Sequence, residues 1–310
     1  MATIAVIGAG SVGATTAYAI IASNIVEEIV LIDINRPRAE GEALDLGDST
    51  AFTTPTRVFA GDYADCQNAD LVIFAAGAGQ RPGESRLALA EKNHAVLRDV
   101  LAQLMPYWRG GLLLIVSNPV DLLTYAAVKI TGLEPSRVLG SGTILDSARF
   151  RYALSTYTGV DARNIHAYVI GEHGDSAVPL WSRVRVAGIP LDEFCHQKGI
   201  APPDREVVTT AVRQAAYRII ERKGATYYAI GLGIRRICEA ILKDQKSVLT
   251  VSGLLAGQYG FNDLSFSLPT VVGKNGRGIA LELPLVAEEL AALRHSAAIL
   301  KAAQERLGYR

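Results

Sequence analysis

The sequence has few cysteines and no excess of either charge. Its three cysteines among 310 residues, Cys66, Cys195 and Cys238, are widely spaced and form no Cys-x-x-Cys pair, which argues against a disulfide framework or a zinc site. The 31 Lys and Arg residues balance 31 Asp and Glu residues, so there is no electrostatic case for nucleic acid or an anionic membrane as a partner. Since the chain has no net positive charge, any anion that the protein binds must be held by a few arginines at specific positions.

Long hydrophobic runs are also absent. None reaches the roughly 18 apolar residues that a membrane span requires, and no Lys or Arg precedes Arg36, so the N-terminus lacks the basic start of a signal peptide. Cys195 and His196 are adjacent, but sequence neighbours rarely form a catalytic dyad, and a surface helix is the better interpretation. We expect a cytoplasmic protein with no bound metal, long enough for about two domains.

Residues 1–140 alternate short apolar runs with helical patterns. The runs are TIAVI (3–7), EIVLID (28–33), LVIFAAG (71–77), LLLIVSN (112–118) and RVLG (137–140). Runs that are apolar on both faces and separated by helices predict a parallel sheet covered on two sides. Right-handed crossovers then give a Rossmann-type, doubly wound domain, placed here at residues 1–141, with its ligands at the carboxyl ends of the strands.

Residues 142–310 follow a different pattern, in which strands and helices do not strictly alternate. The sequence predicts a helix over 144–158, a hairpin within 181–191, helices over 204–222 and 225–242, strands over 247–254 and 264–273, and a terminal helix over 284–307. Such grouping predicts a mixed α/β domain. We expect it to bind the substrate and to carry the catalytic residues.

A glycine-rich turn follows the first strand. Gly8, Gly10 and Gly13 form Gly-x-Gly-x-x-Gly between a strand and a helix, and Asp33 closes the second strand 20 residues after Gly13. This arrangement predicts a dinucleotide whose pyrophosphate lies at the helix N-terminus, and an acid at Asp33 favours NAD over NADP because it repels a 2′-phosphate. The candidate contacts on the turn are Gly8, Gly10, Ser11, Val12 and Gly13.

Four further segments carry a resemblance over essentially the whole chain. They are IGEHGDS (170–176), LDSARFR (145–151), AGAGQRPGESR (76–86) and VSNPVD (116–121). In order and in spacing they resemble the L-2-hydroxyacid dehydrogenases, the lactate and malate dehydrogenase family, and the bacterial NAD-dependent lactate enzymes in particular. The resemblance implies reversible hydride transfer between NADH and a small 2-keto acid.

The resemblance implies a role for each of several polar residues. His173 would exchange a proton with the substrate carbonyl, because an imidazole titrates near neutral pH, and Asp146 would fix its tautomer and raise its pKa. Arg149 would clamp the substrate carboxylate in a bidentate pair. Arg86, at the end of a mobile lid, would stabilise the charge that develops on the carbonyl oxygen.

Other positions match the lining of the same pocket in the family. Asn118 would hydrogen-bond near the reacting oxygen and the nicotinamide, and Thr226 would line the substrate pocket. The remaining candidate cofactor contacts are Gly77, Ser141 and Ile230.

Gln80, six residues before Arg86, bears on the choice of substrate. Malate enzymes carry an arginine there, which pairs with the second carboxylate of oxaloacetate. A neutral amide leaves that carboxylate without a counter-charge, which favours pyruvate and L-lactate. The adjacent Arg81 leaves malate dehydrogenase activity open, since a one-residue shift of the loop could present it instead.

Arg151 and His166 match positions that bind fructose 1,6-bisphosphate at a subunit interface in bacterial members of the family. On a helix over 144–158, Arg151 would point away from the face that carries Asp146 and Arg149. A bisphosphate would relieve the repulsion between these cations across a two-fold axis and favour one quaternary state. The alternative is that both are ordinary surface residues. The resemblance also implies a homotetramer.

Two other classes of function remain as alternatives. An NAD-dependent glycosidase shares the fold but requires a metal held by Cys and His residues. A dinucleotide-sensing protein without catalysis would be expected to have lost part of the set His173, Asp146, Arg149 and Arg86.

Overall fold

A computed structural model describes residues 2–79 and 86–309, with only the backbone of Arg86 and Leu87. The first half contains six strands. They are β1 (Thr3–Ile7), β2 (Glu28–Ile32), β3 (Arg57–Ala60), β4 (Leu71–Phe74), β5 (Leu112–Ile115) and β6 (Val138–Gly140). Four helices connect them: α1 (Ser11–Ile21), α2 (Arg36–Ser49), α3 (Arg86–Leu104) and α4 (Val120–Thr131).

The six strands are parallel and lie in the order β6-β5-β4-β1-β2-β3. This is the order of the Rossmann fold, and it confirms the predicted fold class. Successive residues of β1 point into opposite cores: Ile4 and Val6 pack with α1, and Ala5 and Ile7 pack with α3 and α4. The runs are apolar at every position because both faces of the sheet are covered.

The second half begins with a helix and a set of short strands. These elements are α5 (Ile144–Thr158), β7 (Ile165–His166), β8 (Val169–Ile170), β9 (Val178–Pro179), β10 (Arg185–Val186) and β11 (Ile189–Pro190). The predicted hairpin is confirmed, since Arg185 pairs with Pro190 and Val186 with Ile189 in antiparallel register. Strand β7 joins it as a third strand.

Longer elements complete the chain. They are α6 (Leu191–Lys198), α7 (Arg205–Lys223), α8 (Tyr228–Leu242), β12 (Ser247–Ala256), β13 (Asn262–Gly273), β14 (Gly276–Ala280) and α9 (Ala287–Arg306). Strands β12, β13 and β14 are antiparallel and extend the large sheet beyond β6, where Ser252 pairs with Gly140. The sheet therefore has nine strands and runs through both halves of the chain. The division at residue 141 stays a prediction.

Several elements differ from the sequence prediction. The strand predicted over 71–77 ends at Phe74, because its neighbour β1 ends at Ile7, the residue that pairs with Phe74. The helix predicted over 225–242 begins at Tyr228, after an irregular segment that contains Thr226. Strands β3 and β14 were not predicted. Among the described residues, no helix is long and apolar enough to cross a membrane.

Candidate active site

The centre of the site is an ion pair between His173 and Asp146. His173 lies in the loop after β8, and its Nδ1 lies 2.5 Å from Oδ2 of Asp146, in the first turn of α5. The carboxylate is buried, whereas 23% of the histidine side chain is exposed. The second ring nitrogen, Nε2, has no hydrogen-bond partner within residues 2–79 and 86–309, so it is available to a substrate at the open side of the ring.

The charges around the pair favour its ionised form. Burial lowers the pKa of His173, but the Asp146 carboxylate outweighs this effect and the net shift is upward, with a further contribution from Asp121 and an opposing one from Arg149. Burial alone would raise the pKa of Asp146, yet the His173 and Arg149 cations hold it below its usual range. The imidazole therefore keeps its proton to a higher pH than a free histidine does.

Arg149 lies one turn after Asp146 on the same face of α5. Its Nη1 donates a hydrogen bond of 3.3 Å to Oδ1 of Asp146. Nε and Nη2 make no hydrogen bond to the described part of the chain, which leaves two parallel donors for an anion. The helix spacing thus brings the cation and the acid together, as the sequence predicts.

Asp121 is a second buried carboxylate at the histidine. It lies in the first turn of α4 and is 1% exposed, and its Oδ2 accepts a hydrogen bond of 2.7 Å from the backbone N–H of His173. Asp121 lies within the VSNPVD segment, but no role was predicted for it. An acid in the first turn of a helix is ordinarily a solvated stabiliser of the helix dipole, so the motif alone carries no signal for this contact.

Ser296 supports the same loop from α9. Its Oγ accepts a hydrogen bond of 2.8 Å from the backbone N–H of Glu172 and lies 3.1 Å from the Oγ of Ser176, which also donates to the Glu172 carboxylate. The histidine loop is thereby held on both sides of His173. No pattern in the sequence indicates Ser296, because it lies more than 100 residues away in a helix with an ordinary pattern.

Asn93 of α3 joins two loops at the carboxyl edge of the sheet. Its Oδ1 accepts from the backbone N–H of Ala78 at 2.8 Å, and its Nδ2 donates to the carbonyl oxygens of Ala78 at 3.2 Å and Asn118 at 2.7 Å. Gly77 packs so closely that a Cβ there would lie 3.0 Å from Asn93 Oδ1. The predicted site residues Gly77 and Asn118 thus both contact the buried Asn93, for which no role was predicted.

The glycine-rich turn makes a close contact with the next loop. A Cβ on Gly8, whose φ is 102°, would lie 2.5 Å from the backbone nitrogen of Ala76, and one on Gly13 would lie 1.9 Å from the carbonyl oxygen of Gly8. Side chains are therefore excluded at both positions. Ser11 and Val12 begin α1, with Ser11 exposed and Val12 half-buried against the sheet.

Asp33 and Gly10 complete a surface that fits a dinucleotide. Asp33 Oδ2 accepts a hydrogen bond of 2.7 Å from the backbone N–H of Ala9, and Oδ1 accepts one of 2.9 Å from Asn35, so the acid is fixed beside the turn. No described atom lies within 4 Å of a Cβ built on Gly10. The turn thus offers backbone N–H groups and open space for a pyrophosphate, and a fixed carboxylate for a ribose.

A cation suited to a 2′-phosphate is engaged elsewhere. Arg36 follows Asp33 by three residues, but its guanidinium pairs with Asp62 at 2.8 Å and Glu40 at 3.0 Å. It also donates to the carbonyl oxygen of Ala60. With Arg36 occupied and Asp33 at the turn, the site fits NAD better than NADP.

Helix α8 connects the two parts of the site. A Cβ on Gly231 would lie 2.9 Å from Thr15 of α1, and one on Gly233 would lie 3.3 Å from Ile144 at the start of α5. Three further predicted residues lie in this region: Thr226 and Ile230 are half-buried at the start of α8, and Ser141 is buried just before α5.

Other predicted residues lie apart from the site or outside the described residues. Arg151 is half-buried on α5, and β7, which packs against α5, carries an exposed His166. Burial lowers the pKa of Arg151, and its side chain has no acidic partner within the described ranges. Gln80 and the Arg86 side chain lie outside the described residues.

The geometry does not support a Cys195–His196 catalytic dyad or a metal site of the kind that an NAD-dependent glycosidase requires. Cys195 is fully buried in α6, whereas its neighbour His196 is exposed, so the two do not face each other. Within residues 2–79 and 86–309, no group of three or more His, Cys, Asp or Glu side chains could hold a metal ion.

Comparison with known proteins identifies the family. Residues 2–140 match the lactate/malate dehydrogenase NAD binding domain, and residues 143–307 match the lactate/malate dehydrogenase alpha/beta C-terminal domain. The chain is 52% identical over 306 residues to an L-lactate dehydrogenase of a Thermoanaerobacter species, covering 98% of each chain. It is 50% identical over 303 residues to that of Moorella thermoacetica, covering 97% of this chain and 96% of the relative.

Solved structures of lactate dehydrogenases also match the chain over nearly its full length. A minor L-lactate dehydrogenase from Enterococcus mundtii, crystallised with ligands, matches with a TM-score of 0.95 and 41% identity over 98% of each chain. A lactate dehydrogenase from a Medee basin deep-sea metagenome library matches with a TM-score of 0.96 and 42% identity over 99% of each chain. The chain belongs to the lactate/malate dehydrogenase family, and it is an NAD-dependent oxidoreductase that acts on a CH–OH group.

Proposed function

We propose that the protein is an L-lactate dehydrogenase, which interconverts pyruvate and L-lactate. The observation that carries the proposal is the buried Asp146 carboxylate 2.5 Å from Nδ1 of His173, with the Arg149 guanidinium one turn along the same helix. Relatives that are about 50% identical over nearly the whole chain bear the name L-lactate dehydrogenase. NADH bound along the glycine-rich turn would supply the hydride for reduction of the carbonyl carbon.

His173 supplies the proton of the reduction. Asp146 holds Nδ1, so the proton on Nε2 faces the open side of the ring and passes to the carbonyl oxygen as that oxygen becomes a hydroxyl. The imidazole is then neutral, and in lactate oxidation it takes the same proton back. Because the pKa of His173 is raised, the imidazole keeps its proton to a higher pH than a free histidine does, which favours reduction.

Three polar residues orient the substrate. Arg149 pairs its free Nε and Nη2 with the carboxylate, because a planar guanidinium matches two carboxylate oxygens. Asn118 offers its side-chain amide beside the reacting carbonyl. Arg86 begins α3, and we assign its guanidinium to the developing oxyanion, by resemblance to the family.

The substrate preference follows from Gln80. A second carboxylate, as in oxaloacetate, would have no counter-charge beside a neutral amide, whereas the methyl group of pyruvate needs none. The test is the rate of NADH oxidation with pyruvate and with oxaloacetate under identical conditions. Faster turnover of pyruvate is expected, and faster turnover of oxaloacetate would make the protein a malate dehydrogenase.

A regulatory site for fructose 1,6-bisphosphate is part of the proposal. Arg151 is a half-buried cation without an acidic partner among the described residues, and the strand that packs against its helix carries His166. Added bisphosphate should lower the KM for pyruvate, and Arg151→Gln should abolish that response while leaving the basal rate intact. A wild-type enzyme that does not respond would make both residues ordinary surface side chains.

The assembly is proposed as a cytoplasmic homotetramer. Large apolar side chains are exposed in the single chain, among them Phe52 at 91% and Leu44 at 74%, which is consistent with burial between subunits. All three cysteines are buried and free, as a reducing compartment favours. Light scattering on the eluted protein should give a mass near four times 33.1 kDa, and a monomeric mass would refute the tetramer.

A further inference from the structure

The catalytic histidine is flanked by two buried carboxylates, only one of which contacts its ring. Asp146 of α5 holds Nδ1, whereas Asp121 of α4 accepts the backbone N–H of His173 at 2.7 Å. Asp121 is 52 residues away in sequence and 1% exposed. Its second oxygen, Oδ1, accepts no hydrogen bond within the described ranges, so the hydrogen bond to His173 does not use the full capacity of this carboxylate.

We propose that Asp121 is a positioning residue for His173: its carboxylate fixes the backbone of the histidine, and its negative charge holds the proton on the imidazole. The proposal rests on the assignment of His173 as the proton donor. It adds a second, backbone-bound acid to the pair formed with Asp146. Asp121 would not touch the substrate.

The electrostatics of Asp121 give it a pH-dependent charge. Burial raises the pKa of Asp121 to about 7, and Glu172 acts in the same direction, whereas the Ser252 hydroxyl and His173 favour the ionised form. Asp121 therefore becomes ionised in the pH range in which a free histidine loses its proton. The charge that it gains raises the pKa of His173, so the imidazole stays protonated further toward alkaline pH.

Few charged or polar groups act on His173 and Asp121 among the described residues. Asp146 and Arg149 of α5 oppose each other in their effect on His173, and Glu172 precedes the histidine in its own loop. Strand β12 places the uncharged Ser252 hydroxyl near Asp121, although the two make no hydrogen bond. Asp121 is thus the group from α4 that changes the charge balance of the site near neutral pH.

The test compares Asp121→Asn with Thr124→Val. Asparagine keeps an oxygen that can accept the His173 N–H but removes the charge. Thr124 is a matched control, buried three residues further along α4 and hydrogen-bonded within that helix to Val120. The readout that does not depend on turnover is the pH titration of the His173 ring by NMR of ¹³C-labelled histidine, with the signal assigned from His173→Asn among the five histidines.

Asp121→Asn is expected to move the His173 titration to lower pH, and Thr124→Val to leave it in place. In turnover, kcat/KM for pyruvate reduction should fall on the order of tenfold at pH 8 but little at pH 6, because the proton is lost earlier. Lactate oxidation, which needs the neutral ring, should instead gain activity between about pH 7 and pH 8, where the wild-type Asp121 is ionised. A uniform loss in both directions with an unmoved titration would mean a structural role and would overturn the proposal.

A measurement on the wild-type protein covers the case in which Asp121→Asn does not fold. Because Asp121 becomes ionised near pH 7 beside His173, the wild-type titration of the His173 ring should show a second inflection in that range. A single-step titration of His173 in the wild-type protein would overturn the proposal. If the wild-type protein reduces no 2-keto acid, the proposed function fails, but the NMR titrations still decide whether Asp121 controls the proton on His173.

Discussion

Nδ1 of His173 and Oδ2 of Asp146 lie 2.5 Å apart, and each shifts the pKa of the other toward the charged state. The pKa of Asp146 is lowered, so the stability that it contributes is lost as the pH falls through that lowered value. The pKa of His173 is raised, so its contribution is lost as the pH rises through that raised value. The pair therefore stabilises the fold in the pH range between these two values.

Asp146→Asn tests this relationship. The amide keeps the shape but not the charge, so kcat for pyruvate reduction should fall at least about tenfold, part of the roughly 10²- to 10⁴-fold effect of positioned proton transfer. Urea unfolding should show a loss of stability at pH 7 that shrinks toward acid pH. Asp192→Asn is the control, since its ion pair with Arg205 is exposed and should contribute less than about 1 kcal/mol. Equal effects in the two variants would contradict the prediction.

Gly10 and Gly13 should respond differently to alanine. At Gly13 a Cβ would lie 1.9 Å from the Gly8 carbonyl oxygen, so Gly13→Ala should destabilise the fold by roughly 2 kcal/mol or more. At Gly10 no described atom is within 4 Å, so Gly10→Ala should keep the wild-type Tm but weaken NADH binding, because the methyl group would occupy the approach of the pyrophosphate. Thermal unfolding and NADH fluorescence titration measure the two effects. Unchanged NADH affinity in Gly10→Ala would place the pyrophosphate elsewhere.

Asn93→Ala should weaken the support of the loops that carry Ala78 and Asn118. It removes the hydrogen bonds to Ala78 and Asn118 and leaves buried backbone groups unpaired, at a cost of about 1–3 kcal/mol. The KM for pyruvate should rise, since the loop that carries Asn118 loses its support. Gln103→Ala, an exposed position on the same helix, serves as the control in urea unfolding and steady-state kinetics. A wild-type KM in Asn93→Ala would show that Asn118 is held without it.

Gln80→Arg should change the substrate preference. A guanidinium at this position would supply the counter-charge that the second carboxylate of oxaloacetate lacks, so the ratio of kcat/KM for oxaloacetate to that for pyruvate should rise by tenfold or more, about 1.4 kcal/mol or more of discrimination. Arg81→Gln is the companion variant. If Arg81 already pairs with the second carboxylate of oxaloacetate, Arg81→Gln lowers oxaloacetate turnover and Gln80→Arg has little effect. An unchanged ratio in Gln80→Arg would mean that position 80 does not face the substrate.

Local patterns predicted the elements whose apolar residues pack into the cores. Strand β1 was predicted at 3–7 and α5 at 144–158, and both have these bounds, because their apolar spacing is set by the cores on which they pack. Strand β3 was not predicted because it is an edge strand that pairs only with β2 and begins with the exposed Arg57. Strand β14 is short, rich in glycine and largely exposed, and it depends on its partner β13.

The site was predictable only where residues are neighbours in sequence or carry a recognised motif. Asp146 and Arg149 share a helix face, so their spacing already brings them together. Asp121 and Asn93 act over separations of 52 and 25 residues, to His173 and Asn118, and through backbone groups that every residue possesses. No residue pattern marks such an acceptor in advance, because its partner is chosen by tertiary packing.

Strand β12 pairs with β6 at Ser252 and Gly140, so one hydrogen-bonded sheet carries strands from both halves of the chain. In a chimera, the first 141 residues could be joined to the second half of another family member. Such a chimera would have to reproduce the pairing between β6 and β12 as well as the connecting peptide. Residues 1–141 produced alone would expose β6 as an unprotected edge, open to pairing with another chain. The two halves are therefore expected to be interchangeable between relatives only when the side chains along β6 and β12 are exchanged together.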